Sequence, residues 1–360
     1  MSNDKSSVAV IFGGQSSEHE VSCLSAASVI NHLDTDKYKI HKIGITKQGD
    51  WFLTNALAEN ILDGSWIQNE SNQRAALSLD RVKKDLLVFD NEGGYFRIDV
   101  DVIFPVLHGK NGEDGTIQGL FDLSGIPYVG PGTRASATCM DKAITKLMVG
   151  QIGVKQADSF VVTEVAFERD QSGVVDKGEK YFKGKYPLFV KPSSAGSSVG
   201  ISKARDKSQL AQAIITALKE DDKVLVEETI VGREIEVAVL GNEDPKASPI
   251  GEIIAANEFY DYDAKYINGE SKTRVITDLL PEKEKEIQEA AVKVFECMGC
   301  RGLSRVDFFL DDEGTVVFNE INTMPGFTNI SMYPQLWLAT GMTYDNLLNT
   351  LIALALENSN

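Results

Sequence analysis

The sequence has few cysteines and no long apolar run near its start. Four cysteines in 360 residues are too few for a disulfide framework. Cys23 and Cys139 are isolated, while Cys297 and Cys300 form a lone CxxC at the end of a predicted helix, so we expect buried thiols. The N-terminus is polar and the apolar run at residues 8–12 is short, which predicts neither a signal peptide nor a membrane span. We therefore expect a cytoplasmic protein.

Positive charge is also scarce. The chain has 36 Lys and Arg residues against 53 Asp and Glu residues, and its net charge of -17 argues against a nucleic-acid surface. Local basic pockets for phosphate are still compatible with this balance. A hydrophobic content of 42% over 360 residues is enough for two or three domains, each with its own core.

The first strand and turn lack a complete dinucleotide-binding motif. Residues 8–12 form an apolar strand followed by two glycines, but the third glycine of GxGxxG is missing, which argues against a Rossmann cofactor. Ser17 and Glu20 have the spacing of a capping box, so we predict a helix beginning there. Glu18 would then lie above the end of a strand, where α/β folds bind ligands. Two interpretations are open: Glu18 holds a substrate ammonium, or it complements the helix dipole.

A second candidate loop follows the apolar strand predicted at residues 100–107. His108, Glu113 and several glycines follow this strand directly, which is typical of a substrate loop. A helix at residues 116–123 and a Gly-Ile-Pro turn then close a predicted parallel α/β domain. Residues 51–97 alternate short strands with polar turns, and we interpret them as a surface elaboration.

The middle of the chain lacks a Walker A motif, because no lysine directly follows its glycines. It has instead a predicted helix with Lys142 and Lys146, and an apolar strand that ends at Lys191 before a Ser/Gly-rich loop at residues 193–200. Small residues allow backbone N–H groups to approach phosphate oxygens, and Lys191 adds a positive charge. A flexible hairpin is the alternative interpretation.

Two glutamates, Glu227 and Glu234, flank apolar Ile230 at predicted strand ends. This arrangement suits an adenine edge and ribose hydroxyls, and ordinary edge-strand charges are the alternative. Residues 258–266 are rich in tyrosine and have no clean period, which is typical of a lid over a site. Residues 281–298 have the apolar period of a core-facing helix.

Residues 301–322 predict a β-hairpin with Gly314 in its turn. The predicted register places Leu310 opposite Thr315, and it groups four polar side chains on one face: Arg305, Asp307, Glu320 and Asn322. Three oxygen-bearing side chains suit a hard divalent cation, although they also suit the solvated face of a half-buried sheet. The Pro-Gly turn that follows favours a site, because it brings a backbone N–H to a ligand.

These motifs together resemble those of the D-alanine–D-alanine ligase family of the ATP-grasp superfamily. The resemblance covers nearly the whole chain and rests on segments in the family's order: residues 13–22, 108–115, 140–142, 191–200, 260–266, 305–307 and 320–331. It implies an α/β ATP-grasp fold. A parallel α/β domain is expected in residues 1–132, a central α+β nucleotide-binding domain in residues 133–231, and a C-terminal α+β catalytic domain in residues 232–360.

The resemblance also implies an activity, the ATP-dependent joining of two D-alanines for peptidoglycan precursor synthesis. One D-alanine carboxylate attacks the γ-phosphate of ATP, and the amine of the second D-alanine displaces phosphate from the acyl phosphate. The implied catalytic residues are Glu18, Ser197, Tyr266, Arg305 and Gly326. His108, Ser331 and Met332 are implied for substrate, and Lys142, Lys191, Ser198, Glu227, Ile230, Glu234 and Lys265 for ATP. Two Mg²⁺ ions, or Mn²⁺, are implied at Asp307, Glu320 and Asn322.

The chain departs from the family pattern at Ser194, where many members have a basic residue, so the phosphate loop is expected to be less charged. Residues 51–97 are absent from short members and have no chemical signature. We expect a homodimer, and the sequence does not decide whether these residues contribute to its contacts. Two rival functions stay open: a sister ligase that adds D-serine or D-lactate, and a non-catalytic nucleotide sensor. The Lys265-Tyr266 pair and apolar Met332 favour D-alanine as the second substrate, and the filled catalytic positions argue against a sensor.

Overall fold

A computed structural model describes residues 5–196, 199–254 and 272–357. These residues form three β-sheets, which contain seven, four and five strands in chain order. Helices cover the sheets, and the predicted α/β class is thereby confirmed. Among the described helices, none combines the length and the apolar content that crossing a membrane requires.

The first sheet has the strand order β6-β5-β4-β3-β2-β1-β7. Its strands are β1 (Ser6–Gly13), β2 (Tyr38–Ile45), β3 (Trp51–Thr54), β4 (Gln73–Leu77), β5 (Asp85–Phe89), β6 (Tyr95–Asp99) and β7 (Val102–Val106). Strand β1 pairs in parallel with β2 and β7, whereas β3 to β6 add to the sheet as antiparallel neighbours. The elaboration predicted at residues 51–97 is therefore an extension of the main sheet.

Three helices accompany this sheet: α1 (His19–His32), α2 (Ala58–Leu62) and α3 (Thr116–Ser124). Alternate residues of β1 enter two different cores, one shared with α1 and the other with α3, because both faces of the strand are covered. The predicted capping box is wrong. Helix α1 begins at His19, Glu18 occupies the N-cap position without a side-chain cap, and the Ser16 Oγ accepts the Glu18 N–H at 3.1 Å.

The central sheet is antiparallel, with the order β10-β9-β11-β8. Its strands are β8 (Ser159–Thr163), β9 (Leu188–Pro192), β10 (Ser202–Ala204) and β11 (Lys223–Glu228). Helices α4 (Thr133–Met140) and α5 (Lys142–Gln151) lead into this region, followed by α6 (Glu164–Arg169), α7 (Gln171–Tyr181) and α8 (Lys207–Ala217). Apolar residues of α6, α7 and α8 pack against the sheet in one core.

The third sheet is also antiparallel, with the order β14-β13-β12-β15-β16. Its strands are β12 (Gly232–Gly241), β13 (Lys246–Ile254), β14 (Lys272–Val275), β15 (Gly302–Asp311) and β16 (Val316–Asn322). Helix α9 (Pro281–Cys297) packs on one face. Helices α10 (Met332–Leu338) and α11 (Tyr344–Glu357) share a core with α1 and β7, so the first and third sheets are joined by a common apolar interior.

The register of the β15–β16 hairpin differs from the predicted one. Leu310 pairs with Val316, not with Thr315, because the turn is one residue longer than expected. A register shift next to Asp307 leaves Asn319 as an extra residue on β16. Beyond this bulge Asp307 pairs with Glu320. The predicted polar face is therefore present, but a bulge creates it and not the turn.

The three sheets span residues 6–106, 159–228 and 232–322. The predicted domain boundaries at residues 132 and 231 fall between these spans, and the boundaries themselves stay a prediction. All four cysteines are free thiols, of which Cys23, Cys139 and Cys300 are buried and Cys297 is half-buried.

Candidate active site

A cavity of about 920 Å³ opens between the three sheets. This volume is typical of a site for a small-molecule ligand. The cavity is lined by predicted site residues from every part of the chain: Glu18, His108, Lys142, Lys191, Glu227, Ile230, Glu234, Arg305, Asp307, Glu320, Asn322 and Gly326. The fold thus brings together residues that are more than 300 positions apart in the sequence.

One wall of the cavity contains a buried ionic network that we call the hairpin cluster: Glu236, Arg305, Asp307 and Asn322. The Arg305 guanidinium donates to both carboxylate oxygens of Asp307, at 2.8 and 2.7 Å. Its Nη2 also lies 3.0 Å from the Glu236 carboxylate, on the neighbouring strand β12. Asn322 donates its Nδ2 to Asp307 at 2.9 Å. Two carboxylates therefore share one guanidinium.

Burial alone would lower the pKa of the Arg305 guanidinium, but Asp307 and Glu236 outweigh it and raise the pKa well above its usual value. Arg305 therefore stays charged at any physiological pH. Counting Glu320, which also acts on Arg305 through its charge, the carboxylates exceed the cation. The wall has a net negative charge, which suits a bound cation.

The residues predicted to hold metal fit a hard cation by their chemistry. Asp307 and Glu320 supply carboxylate oxygens, and Asn322 uses its amide nitrogen on Asp307, so its amide oxygen is the atom left to act as a ligand. Across the described ranges, no three His, Cys, Asp or Glu side chains are grouped so that they could hold a metal ion. A cation here would depend on additional ligands from a bound phosphate, which is typical of Mg²⁺ sites.

The opposite wall contains a second network, which we call the lysine cluster: Lys146, Lys191, Glu227 and Asn319. The Glu227 carboxylate lies between two ammonium groups; one oxygen is 2.6 Å from the Lys146 Nζ and the other forms an ion pair with the Lys191 Nζ. Lys191 also donates to the Oδ1 of Asn319, at the β16 bulge, at 3.4 Å. The bulge therefore connects the third sheet to the central sheet.

For each ionisable group of the lysine cluster, burial and the oppositely charged partner shift the pKa in opposite directions. Burial alone would raise the pKa of the Glu227 carboxyl, but Lys191 and Lys146 hold that pKa below its usual value. Burial would lower the pKa of the Lys191 ammonium, and Glu227 raises it instead. For Lys146 burial prevails and lowers the pKa.

Lys142 lies where the two walls meet. Its Nζ donates to the Ala195 carbonyl at 2.8 Å and lies 3.5 Å from a Glu320 carboxylate oxygen. The Asp141 side chain caps α5 by accepting from Ala143 N–H and Ile144 N–H. The start of α5 is thereby fixed beside the Ser/Gly-rich loop, with Lys142 facing the acidic hairpin.

Glu18 and His108 form the end of the cavity contributed by the first sheet. Glu18 is 8% exposed, and its carboxylate lies against the backbone of Gly109 and Gly196. The His108 Nδ1 lies 3.0 Å from the Met324 carbonyl, and because a carbonyl can only accept, Nδ1 carries a proton. The His108 Nε2 contacts the Ser25 hydroxyl, so both ring nitrogens are engaged by the protein.

Two predicted substrate residues lie apart from the cavity lining. The Ser331 hydroxyl accepts the Thr328 N–H at 3.0 Å and orders the loop before α10. Met332 is 5% exposed and packs against Gly251 in the core shared by the first and third sheets. Their assignment to substrate stays a prediction, and Ser197, Ser198, Lys265 and Tyr266 lie outside the described residues.

Three cavity-cluster residues were not assigned a role from the sequence. Glu236 follows Glu234 by two positions on β12, so strand alternation was a usable signal that both reach one face. Lys146 follows Lys142 by four positions on α5, and helical spacing was a similar signal. Asn319 is not among the four side chains that the predicted register groups on the polar face, and nothing in the sequence marks the bulge that places it at the cavity.

A cavity between three sheets, with buried lysines on the central sheet and an acidic hairpin on the third sheet, is typical of the class of ATP-grasp ligases. Solved structures agree. The VanG D-Ala:D-Ser ligase from Enterococcus faecalis has a TM-score of 0.87 and 40% identity, and the match covers 98% of this chain and 100% of that one. The D-alanine-D-alanine ligase from Coxiella burnetii has a TM-score of 0.84 and 36% identity, covering 99% and 95%.

Family models and curated relatives give the particular family. The model for the D-ala D-ala ligase N-terminus matches residues 7–131, and the model for the C-terminus matches residues 148–353. A D-alanine--D-alanine ligase of Acetivibrio thermocellus is 50% identical, and the alignment covers 99% of this chain and 97% of the relative. That of Clostridium novyi is 48% identical over 99% of both chains. The chain belongs to the D-alanine–D-alanine ligase family.

Proposed function

We propose that this protein joins two D-alanines in an ATP-dependent reaction that supplies a peptidoglycan precursor. The observation that supports this most is the pair of oppositely charged walls around one cavity, in a chain related to D-alanine--D-alanine ligases over its full length. The lysine wall suits phosphates and the hairpin wall suits a cation bound to them. A nucleotide sensor that binds Mg·ATP would share both walls, so the full-length relationship to D-alanine--D-alanine ligases is what favours the ligase.

The proposed reaction distributes its charges over these walls. Lys142 and Lys191 neutralise the phosphate oxygens while a D-alanine carboxylate oxygen attacks the γ-phosphorus, releasing ADP and forming an acyl phosphate. The amine of the second D-alanine then attacks the acyl carbon, and phosphate leaves with the bridging oxygen. Arg305 and the Gly326 N–H stabilise the tetrahedral oxyanion of this second step, and Glu18 holds the first ammonium group.

Two Mg²⁺ ions, or Mn²⁺ in their place, are the expected cofactors. Asp307, Glu320 and Asn322 would hold them. Bound there, the ions would neutralise the phosphate oxygens of the nucleotide. The chain's own contribution is to keep these oxygen ligands in one orientation, since Arg305 and Asn322 both fix the Asp307 carboxylate.

The proposal also covers the location, the partners and the assembly of the protein. A need for ATP supports a cytoplasmic location, and the net charge of -17 supports neither nucleic-acid nor membrane binding. We retain a homodimer as the proposed assembly. The antiparallel extension made by β3 to β6 is the element we assign to it.

A D-alanine–D-serine ligase is the second candidate function, and it is favoured by the 40% identity to the D-Ala:D-Ser ligase. The side chain that follows Ser331 argues for D-alanine. Met332 lies in the core apart from the described cavity lining, so its assignment to the second substrate rests on the resemblance to the family. If it faces that substrate, its apolar thioether offers no partner to a serine hydroxyl. Such a site rejects the hydroxyl only weakly, by about 10- to 200-fold. We therefore expect D-alanine as the main second substrate, some D-serine product and little D-lactate product.

Competition between equal concentrations of D-alanine and D-serine at neutral pH, read by product mass, tests this assignment. D-alanyl-D-alanine should dominate for the wild type. Met332→Arg should increase the D-serine fraction by giving its hydroxyl a partner, and Met332→Leu, which keeps an apolar side chain of similar size, should not. Because Met332 is a core residue, the melting temperature of each variant is measured as well. A wild type that makes mainly the D-serine product would overturn D-alanine specificity.

A further inference from the structure

The lysine cluster contains two lysines, and the proposed function gives a role to only one of them. Glu227 has ion pairs to both Lys146 and Lys191, and the side chains of all three are at most 11% exposed. The proposed function uses Lys191 for phosphate, and Glu227 is expected to meet the adenosine of ATP. It assigns nothing to Lys146.

Lys146 differs from its two partners in position. Lys191 and Glu227 line the cavity, whereas Lys146 is not part of the lining formed by the described residues. It lies on α5 one turn beyond Lys142. Its ion pair is with the Glu227 carboxylate oxygen Oε1, whereas Lys191 pairs with Oε2. Lys146 therefore acts on a ligand only through Glu227.

The ion pair between Lys146 and Glu227 changes the net charge of the cluster. Glu227 and Lys191 alone would form a one-to-one ion pair, and the carboxylate would cancel the charge that Lys191 offers to a phosphate. With Lys146 on the other oxygen, the three groups sum to one positive charge. In a site this well screened from water, a single uncompensated charge acts strongly on an anionic ligand.

Two further acidic groups, Glu228 and Glu320, lie near the cluster. Glu228 acts on Lys146 and Glu320 acts on Lys191 through their charges. Glu228 is the last residue of β11 and also lines the cavity, and one of its carboxylate oxygens accepts the Asp158 N–H at 2.9 Å. Glu320 lies 3.5 Å from Lys142, which offsets its charge. The surplus positive charge at Lys191 therefore depends on Lys146.

We propose that Lys146 is a positioning residue for nucleotide binding: it shares the Glu227 carboxylate so that Lys191 keeps a positive charge for the nucleotide phosphates. The proposal rests on the proposed function in one respect, that Lys191 meets those phosphates. It extends the site by a residue that does not touch the ligand.

Calorimetric binding of adenosine and of ADP, in EDTA and without D-alanine, tests the proposal on the full chain. The readout is the ratio of the two dissociation constants, which isolates the contribution of the phosphates. Lys146→Met should weaken ADP about tenfold and adenosine less than twofold. Lys146→Arg keeps the charge and should keep the wild-type ratio. Lys42→Met is the matched control, because Lys42 is a half-buried lysine of the first sheet whose Nζ donates to the Ala56 carbonyl.

The double variant Lys146→Met with Glu227→Gln gives the sharpest result. Removing one cation and one carboxylate together leaves Lys191 charged, so the ADP-to-adenosine ratio should return towards the wild-type value even where absolute affinities fall. An equal loss for both ligands in Lys146→Met would indicate a structural role and overturn the proposal. A double variant as poor in its ratio as Lys146→Met would overturn it too. If wild-type protein binds neither ligand even when Mg²⁺ replaces EDTA, the proposed function itself fails.

Discussion

The hairpin cluster and the lysine cluster are built alike and charged oppositely. Each contains a central group held from two sides: Arg305 between Glu236 and Asp307, and Glu227 between Lys146 and Lys191. Each is buried, and each joins neighbouring elements of the fold. The first has an excess carboxylate and the second an excess ammonium group. Residues of both clusters line one cavity.

This difference shows how a strongly acidic protein can bind an anionic substrate. A buried ion pair of equal charges contributes little to ligand binding, since its charges are already compensated. A buried group of three always leaves one charge over. The central residue determines the sign of that charge. A central guanidinium leaves a negative charge on the hairpin cluster, and a central carboxylate leaves a positive charge on the lysine cluster. Local charge, and not the net charge of -17, therefore determines which kind of ligand each wall suits.

Removing charge from the hairpin wall should have the largest effect. Glu320→Gln keeps the size of the side chain but takes away a carboxylate proposed to hold metal. Ligase activity should fall by about a hundredfold or more. The melting temperature should change little, because the Glu320 side chain is 32% exposed. Steady-state release of ADP and thermal unfolding measure the two quantities.

Glu252→Gln is the control for that experiment. Glu252 is a buried carboxylate of the same sheet that pairs with Arg233 and Arg274 and does not line the cavity within the described residues. It should show the opposite result, with a lower melting temperature and nearly unchanged activity. Glu320→Gln with most of its turnover intact would show that Glu320 is an ordinary surface charge.

Glu236→Gln should have an intermediate effect. Arg305 would keep Asp307 but lose its second carboxylate, and its guanidinium would no longer be fixed from both sides. We expect kcat to fall about tenfold while the ADP dissociation constant stays within about twofold. Glu236→Asp should recover part of the loss. Equal losses in kcat and in ADP affinity would contradict a role confined to the hairpin wall.

The smallest effect concerns the pH dependence of stability on the lysine wall. The folded pKa of Glu227 lies below its usual value of 4.5, so the ion pairs stabilise the fold above that pH and lose this contribution as the pH falls through the folded pKa. Glu227→Gln leaves two buried ammonium groups without their carboxylate. The melting temperature of this variant should lie furthest below that of the wild type at about pH 7, and the difference should be smaller at about pH 4. A gap that does not shrink would contradict the assignment.

The sequence was most informative where local pattern decides structure. Helices α3 and α9 were predicted nearly to the residue, because core-facing helices have a clear apolar pattern. The polar face of the hairpin was also predicted correctly. Its register was not, because the length of a turn and the position of a bulge depend on packing that no local signal reports.

Contacts between segments that are far apart in the sequence could not be predicted from local sequence patterns. Glu227 was predicted to meet adenosine, but its two lysine partners come from helix α5 and strand β9, and only the assembled sheets place them together. The docking of α11 on the first sheet is a similar case. The charge excess on each wall is a property of such long-range contacts. It could not be counted before the structure was known.

The transfer of a labelled oxygen tests the central claim most directly. D-alanine labelled with ¹⁸O in its carboxylate is incubated with ATP and the enzyme, and the phosphate released is analysed by mass. Our account predicts ATP turnover that depends on D-alanine and one ¹⁸O atom in each phosphate, because the attacking carboxylate oxygen leaves with the phosphoryl group. Turnover that is independent of D-alanine, or phosphate that contains no label, would contradict it.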